Sequence, residues 1–156
     1  MRTKVQLQIT LPRPADNRAA LDAIPGASVL VVDDCSTSLA VAERQLEELG
    51  LSVRTADSGP AALAAMDGER FDAILMDLRM PGMDGFATAL LIREKEASRK
   101  PAAQAVPIIA LTSAASGRDI AASLAAGMND HVAKPFDPLR LAGKLAKWIT
   151  AKRAAA

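Results

Sequence analysis

The sequence predicts an α/β fold in which helices cover both faces of a parallel β-sheet. From Ser28 onward, short apolar runs rich in Val and Ile alternate with stretches of helical periodicity, which is the pattern of βαβ units. The runs at 28–33 and 71–77 are nearly pure apolar segments, as expected of central strands that are buried on both faces. A chain of 156 residues with 50% hydrophobic and 3% aromatic residues fits one domain with a core of small aliphatic side chains.

Five strand and helix repeats follow one another along the chain. The predicted strands cover residues 28–33, 51–56, 71–77, 106–112 and 130–133. An amphipathic helix is predicted after each strand, and its ends are marked by residues that favour caps and turns. These markers are Gly50, Ser58, Pro60, Gly68, Asp84, Gly127, Asp137 and Pro138.

The first 27 residues do not follow the repeat. Apolar and polar residues alternate from Val5 to Leu11, which predicts a half-buried strand that is either an edge addition or the end of an upstream domain. Residues 12–27 contain three prolines and scattered polar residues, so we predict a linker there. We therefore expect a strand remnant and linker before residue 28, the main domain at 28–150, and a tail at 151–156.

Composition limits the classes of partner. The 19 basic and 18 acidic residues nearly cancel, so nothing favours nucleic acid or an anionic membrane. A single cysteine, Cys35, rules out a disulfide within the chain and fits a reducing compartment. The first residues lack the apolar core of a secretory signal, and no apolar stretch approaches the roughly 18 residues of a membrane span. We expect a soluble, cytoplasmic protein without direct membrane contact.

Polar residues lie at the carboxyl ends of four predicted strands. Asp33 and Asp34 follow the first strand and Asp77 ends the third, while Thr112 ends the fourth and Lys134 follows the fifth. Taken singly, these residues have ordinary interpretations as a helix cap, a strand-end threonine and a surface lysine. Sheets of this kind bind ligands outside the carboxyl ends of their strands. The joint placement at one edge therefore predicts a functional site.

The converging carboxylates predict a phosphoryl acceptor that works with a metal ion. The like charges of Asp33, Asp34 and Asp77 resist ionising together unless a cation lies among them. A set of oxygen ligands points to a hard ion such as Mg²⁺, which takes one or two carboxylates and a phosphate oxygen. The Asp77 carboxylate could then attack an anionic phosphoryl group, with Lys134 as a positive charge and Thr112 as a hydroxyl donor.

The motifs at these strand ends resemble those of the receiver domain of two-component response regulators. They occur in the same order, as Val29-Leu-Val-Val-Asp33-Asp34, Met76-Asp77-Leu-Arg-Met-Pro-Gly-Met-Asp-Gly85, Ala110-Leu-Thr112-Ser-Ala and Lys134-Pro135-Phe. The resemblance covers residues 28–150, about four fifths of the chain. It implies a flavodoxin-like (βα)5 doubly wound parallel sheet with strand order 2-1-3-4-5.

The same resemblance implies a role for each acidic residue of the site. Asp77 would be the phosphorylated residue, which makes the chain a self-phosphorylating aspartyl acceptor. Asp34 and Asp77 would bind Mg²⁺ together with the backbone carbonyl of Arg79, and Asp33 would act on the metal indirectly by ordering the site. Arg79 also occupies a position that tends to set the lifetime of the phosphate in the family.

Further roles are implied for residues that would respond to the phosphate. Thr112 and Lys134 would hold the phosphoryl group, and the peptide bond between Lys134 and Pro135 would be cis. The position three before the lysine often holds a Tyr or Phe that moves inward with the threonine. His131 occupies it here, so it is a candidate switch residue, with an ordinary edge-strand histidine as the alternative.

The chain needs a phosphodonor from outside this domain. His131 is its only histidine, so the donor must be another protein or another domain. The resemblance implies that the partner is the dimerisation domain of a histidine kinase, a histidine phosphotransfer protein, or both. The segments Ile92-Arg93-Glu94 and Ala126-Gly-Met-Asn-Asp130 and the long link from Glu96 to Val106 resemble receivers of hybrid sensor histidine kinases. The parent kinase could be membrane-anchored while this domain stays in the cytoplasm.

Three alternatives to a hybrid kinase remain. One is a free-standing regulator whose output surface is formed by the fourth predicted helix, the fifth strand and the fifth helix. Another is a pseudo-receiver that docks a partner without phosphorylation, which the complete set of site residues disfavours. A haloacid-dehalogenase-like phosphatase would need a second Asp two residues after Asp77, and Arg79 stands there instead.

Overall fold

The predicted α/β fold is confirmed by the structure, a computed structural model that describes residues 14–99, 105–113 and 116–154. Five parallel strands form one sheet in the order β2-β1-β3-β4-β5. The strands are β1 (Ser28–Val32), β2 (Ser52–Ala56), β3 (Ala73–Asp77), β4 (Ile108–Thr112) and β5 (Asp130–Ala133). The strand order implied by the resemblance is therefore correct, and the predicted boundaries agree with the structure to within two residues.

Helices cover both faces of the sheet. They are α1 (Pro14–Leu21), α2 (Ser36–Glu48), α3 (Gly59–Gly68), α4 (Gly85–Ser98), α5 (Gly117–Ala125) and α6 (Pro138–Ala154). Successive residues of a strand point to opposite faces, so Val29 and Val31 pack in the same cluster as α2 and α6, whereas Leu30 and Val32 pack with α3 and α4. All five residues of β3 and of β4 are buried, as expected of central strands.

Several predicted helix ends are confirmed. The side chain of Ser58 accepts a hydrogen bond from the backbone of α3, and that of Asp84 does the same for α4. Gly50 and Gly127 follow α2 and α5 with φ values of 88° and 93°, a conformation that favours glycine. Pro138 begins α6, as predicted.

The predicted linker at 12–27 is wrong for the residues that the structure describes. Pro14–Leu21 is helix α1, which packs on α6, and Leu21, Ile24 and Ala27 are buried in the core between α2 and α6. The predicted tail is wrong as well, because α6 continues to Ala154. The strand predicted from Val5 to Leu11 lies outside the described residues, and the domain boundary at residue 28 stays a prediction.

The strand register sets which carboxyl ends meet. Val32 pairs with Met76, Asp77 with Leu111, and Thr112 with Ala133. The residues that follow β1, β3 and β5 and the last residue of β4 are therefore brought to one edge of the sheet. Within residues 14–99, 105–113 and 116–154, no helix is both long enough and apolar enough to cross a membrane.

Candidate functional site

Three carboxylates converge at the carboxyl edge of the sheet. Asp33 and Asp34 follow β1, Asp77 ends β3, and one carboxylate oxygen from each can be chosen so that all three lie within 4.8 Å of one another. Asp33 and Asp77 are buried, whereas Asp34 is exposed to solvent. This is the geometry that a hard cation needs, with oxygen ligands on one side and access for water and a second ligand on the other.

The acidic pair does not simply cap the following helix. The N-cap of α2 is Cys35, and no side chain makes a cap hydrogen bond there. Oδ1 of Asp33 instead accepts a hydrogen bond from the backbone N–H of Cys35 at 2.9 Å, which fixes the turn between β1 and α2. Asp34 is left facing solvent beside the other two carboxylates, which is where a metal ligand would be needed.

Lys134 is the cation of this cluster. Its Nζ lies 2.5 Å from Oδ2 of Asp33 and 3.5 Å from Oδ1 of Asp77, so one ammonium group contacts two buried carboxylates. The backbone N–H of Lys134 donates to the carbonyl of Thr112 at 2.7 Å, and the peptide bond between Lys134 and Pro135 is cis. The ladder between β4 and the end of β5 thus positions the lysine over the acidic residues.

The charges at this edge do not balance. Burial raises the pKa of Asp77 to about 6, Lys134 opposes this rise, and the nearby charge of Asp33 adds to it. The carboxyl group is therefore harder to ionise than an ordinary aspartate, even with a lysine 3.5 Å away. A second cation at this position would favour the charged, nucleophilic form of Asp77.

Asp77 is held by tight packing of the backbone around it. A side chain at Gly85 would place its first carbon 2.2 Å from the carbonyl oxygen of Asp77 and 2.9 Å from Cα of Leu78, and the backbone N–H of Gly85 donates to the carbonyl of Leu78. Gly85 begins α4, so the helix starts in direct contact with the end of β3. Only a residue without a side chain fits this close approach.

The remaining predicted site residues lie around this cluster. Thr112 is buried at the end of β4, and Arg79 is exposed in the loop after β3, where its backbone N–H points to Oδ1 of Asp77 at 3.4 Å. His131 lies in the edge strand β5, farther along the β5–α6 side, with its side chain 38% exposed. The structure brings the acidic residues and Lys134 together and places Thr112 at the same edge, but it puts His131 outside the cluster.

Sequence reasoning missed two features that adjoin the site. Arg79 forms an ion pair with Asp119 in the first turn of α5, and no sequence pattern links these residues, which are 40 positions apart. An apolar cavity of about 280 Å³ opens beside Asp33 and Lys134, between α2 and the loop that follows β5. Val41 and Phe136 line it, and an exposed valine on an otherwise polar helix face was the available signal.

Comparison with known proteins identifies the family. A family model described as "Response regulator receiver domain" matches residues 29–146. The chain is 40% identical over 120 residues to the sensor histidine kinase GacS of Pseudomonas protegens, a match that covers 77% of this chain and 13% of the kinase. The chain therefore spans about one eighth of the length of this relative.

Solved structures give the same result. The receiver domain of the sensor histidine kinase PA1611 of Pseudomonas aeruginosa, crystallised with a magnesium ion in its active site cleft, is 38% identical with a TM-score of 0.70. That match covers 80% of this chain and 98% of the receiver. The receiver of Ssk1 from Saccharomyces cerevisiae, crystallised with the histidine phosphotransfer protein Ypd1, is 28% identical with a TM-score of 0.74, covering 82% and 92% of the two chains. This chain belongs to the response regulator receiver domains of two-component signalling and is homologous to the receivers of hybrid sensor kinases.

Proposed function

We propose that this chain accepts a phosphoryl group from a phosphohistidine onto Asp77, with Mg²⁺, and passes it on within a phosphorelay. The observation that supports the proposal is the convergence of Asp33, Asp34 and Asp77 within 4.8 Å, with Nζ of Lys134 at 3.5 Å from the acceptor carboxylate. Thr112 lies at the end of the neighbouring strand. Together they supply a nucleophile, a metal site and a positive charge for the transferred group.

The donor set fits magnesium. Asp34 and Asp77 would hold the ion with the backbone carbonyl of Arg79, while Asp33, paired with Lys134, orders the site. The ion, when bound, neutralises the crowded carboxylates and the incoming phosphoryl group. Burial raises the pKa of Asp77, so a further positive charge at this position would favour its charged form. The magnesium in the similar PA1611 receiver supports the same assignment.

The chain's own residues account for the transfer. A carboxylate oxygen of Asp77 attacks the phosphorus, the new P–O bond forms as the P–N bond to the donor histidine breaks, and the imidazole nitrogen keeps that electron pair. Lys134 pairs with a phosphoryl oxygen, which requires it to loosen from Asp33 or Asp77. The hydroxyl of Thr112 donates to a second phosphoryl oxygen, so the position of this side chain depends on the phosphate.

Phosphorylation by a small-molecule donor tests the acceptor directly. Wild-type protein incubated with acetyl phosphate and Mg²⁺ should gain the mass of one phosphoryl group, and hydroxylamine should remove it. Asp77→Asn should gain none, because the nucleophile is gone. Lys134→Ala should still bind Mg²⁺ but should lose the coupling between phosphate and conformation. A hydroxylamine-sensitive phosphate on folded Asp77→Asn protein would contradict the assignment.

The apolar cavity beside the site is the proposed docking surface for the histidine-bearing partner. It is lined by Val41 and Ala42 of α2 and by Pro135 and Phe136 after β5, and Val41 is 49% exposed. A helix of a phosphotransfer protein or of a kinase dimerisation domain could lay an apolar face there and present its phosphohistidine to Asp77. The Ssk1 receiver, crystallised with Ypd1, supports a partner of this kind.

Docking can be separated from chemistry by comparing two donors. Val41→Asp should slow phosphoryl transfer from a phosphohistidine protein by at least about tenfold. The rate of transfer from acetyl phosphate should not change. Leu90→Asp is the matched control, because Leu90 is an exposed leucine of α4 that does not line the cavity. Equal losses with both donors would show that the cavity is not a docking surface.

Phosphorylation of the domain has two candidate consequences. The first is relay within or from a hybrid sensor kinase, supported by the similarity to GacS. The second is a conformational change of α5, β5 and α6 that a free-standing regulator would use, with Thr112 and His131 as the switch residues. Lys144 of α6 donates to the carbonyl of His131 at 2.7 Å, so β5 and α6 would move together. A pseudo-receiver would show neither phosphate transfer nor a response to a phosphate mimic.

A further inference from the structure

An ion pair lies beside the acidic site. Nη2 of Arg79 lies 2.7 Å from Oδ1 of Asp119, and this contact joins the loop after β3 to the first turn of α5. The two side chains differ in exposure, at 71% for Arg79 and 17% for Asp119. Asp119 is thus fixed near the start of its helix, where its own backbone N–H donates to the side chain of Ser116. The arginine is the more exposed member of the pair.

The same arginine is attached to the acceptor. Its backbone N–H points to Oδ1 of Asp77 at 3.4 Å, and its side chain leaves the loop only two residues after the acceptor. The guanidinium group can therefore reach either an anion on α5 or an anion on Asp77. Because it has one side chain, it cannot make a full contact with both.

Phosphorylation would change the balance between these two anions. A phosphoryl group carries close to two negative charges and three acceptor oxygens, whereas Asp119 carries one charge. The planar guanidinium fork binds a phosphoryl group through two parallel hydrogen bonds, which is the stronger arrangement. The ion pair with Asp119 is exposed on the arginine side, so only a modest interaction has to be given up.

We propose that Arg79 exchanges partners, from Asp119 in the unphosphorylated protein to the phosphoryl group once Asp77 is modified. Asp119 is then a positioning residue that competes with the phosphoryl group for Arg79 and lowers the affinity of the site for it. The exchange also releases the first turn of α5 from the loop after β3, so the state of Asp77 is transmitted to α5. This inference rests on the proposed function of Asp77 as the acceptor.

Beryllofluoride, a mimic of the aspartyl phosphate, tests the exchange in the full chain with saturating Mg²⁺. Asp119→Asn should tighten beryllofluoride binding about threefold, because no competing ion pair has to break. Arg79→Gln should weaken binding, because a phosphoryl ligand is lost. In the Arg79→Gln background, adding Asp119→Asn should change nothing. A role of Asp119 confined to the stability of α5 would not give this dependence on Arg79.

Asp67→Asn is the matched control. It removes one carboxylate and one ion pair, with Lys95, that joins α3 to α4 outside the site. It should leave the affinity for beryllofluoride unchanged. Saturating Mg²⁺, set for each variant by its own titration, keeps differences in metal affinity out of the comparison.

The possible results separate this inference from the function on which it rests. If the wild type binds beryllofluoride but Asp119→Asn binds it with the same affinity, the exchange is disproved and Asp77 remains the acceptor. An equal effect of Asp119→Asn with and without Arg79 disproves it as well. If folded wild-type protein does not bind beryllofluoride at all, the proposed function fails and the exchange fails with it.

Discussion

Buried charge is balanced at the amino end of the sheet and unbalanced at the carboxyl end. At the amino end, buried Glu96 accepts hydrogen bonds from Nη1 of Arg93 at 2.6 Å and from the backbone N–H of Val106 at 2.8 Å. Arg93 in turn donates to the carbonyl of Gly127 and to the side chain of Asn129, both at 3.0 Å. One carboxylate meets one guanidinium, and the network ties α4 to the strands β4 and β5.

At the carboxyl end, by contrast, the carboxylates of Asp33, Asp34 and Asp77 converge, and the ammonium group of Lys134 contacts only two of them, Asp33 and Asp77. Burial raises the pKa of Asp77, and the nearby charge of Asp33 adds to this rise although Lys134 opposes it. Balanced buried charge fixes the positions of helices and strands. Unbalanced buried charge favours the binding of a cation. The balanced network therefore indicates a structural role, and the unbalanced cluster indicates a functional site.

The largest expected effect comes from filling the close contact between Gly85 and the backbone of Asp77. Gly85→Ala should destabilise the protein by about 3 kcal/mol, because its new carbon would lie 2.2 Å from the backbone oxygen of Asp77, which has little freedom to move. Urea unfolding measures the loss. The control is Gly68→Ala in α3, where nothing lies within 4 Å, and a gain of up to about 1 kcal/mol is expected there. Equal behaviour of both variants would contradict the tight fit at Gly85.

Removing the carboxylate of the balanced network should destabilise the protein somewhat less than Gly85→Ala. Glu96→Ala leaves the N–H of Val106 without its acceptor and the half-buried guanidinium of Arg93 without its carboxylate partner. We expect a loss of about 2–3 kcal/mol in the free energy of unfolding. Glu94→Ala, an exposed residue of the same helix, should change it by less than about 0.5 kcal/mol. The affinity for Mg²⁺ should not change in either variant. A weaker Mg²⁺ site in Glu96→Ala would break the separation of the two ends.

Removing a carboxylate from the acidic end should weaken Mg²⁺ binding without lowering the stability of the metal-free protein. Asp34→Asn should weaken Mg²⁺ binding by at least about tenfold, measured by titration calorimetry, and should not lower the stability of the metal-free protein, because repulsion is relieved. Asp57→Asn is the control, since Asp57 is an exposed carboxylate that follows β2 at the same edge. Lower stability of metal-free Asp34→Asn would show that the acidic end is balanced after all.

The smallest effect is a dependence of stability on pH. The pKa of Asp77 is about 6 in the folded protein and about 3.9 when unfolded, so the folded state binds the proton more tightly. Without Mg²⁺, stability should therefore fall as the pH rises from about 4 to about 6. After allowance for solvent screening we expect about 1 kcal/mol relative to Asp77→Asn. Thermal melts of both proteins measure it, and parallel pH profiles would argue against a shifted Asp77.

The local pattern was enough to predict the strands and the edge where the site forms. Apolar runs that end at Asp33, Asp77 and Thr112 are read from neighbouring residues, and parallel pairing then brings their carboxyl ends together. The pairing of Arg79 with Asp119 could not be predicted in this way. It depends on how far α5 lies from the loop after β3, which is set by packing and not by any sequence spacing.

The error over the linker has a different origin. Prolines were taken as breaks, although Pro14 stands at the first position of a helix, where its missing N–H costs nothing. Leu21, Ile24 and Ala27 recur every three residues and are buried, a spacing that indicated a packed segment. The sequence therefore contained the signal for a packed segment, but the prediction gave more weight to the prolines.

Helix α1 has a consequence for recombining this domain with other signalling chains. A chimera joined at Ser28, where the repeating pattern begins, would discard Leu21, Ile24 and Ala27 and leave their partners on α2 and α6 open to water. Such a fusion would expose apolar surface that is buried in this domain and would be less stable. A junction before Pro14 keeps helix α1 and these buried residues in the fusion. The unit that can be transferred therefore begins before Ser28, where the repeating motifs start.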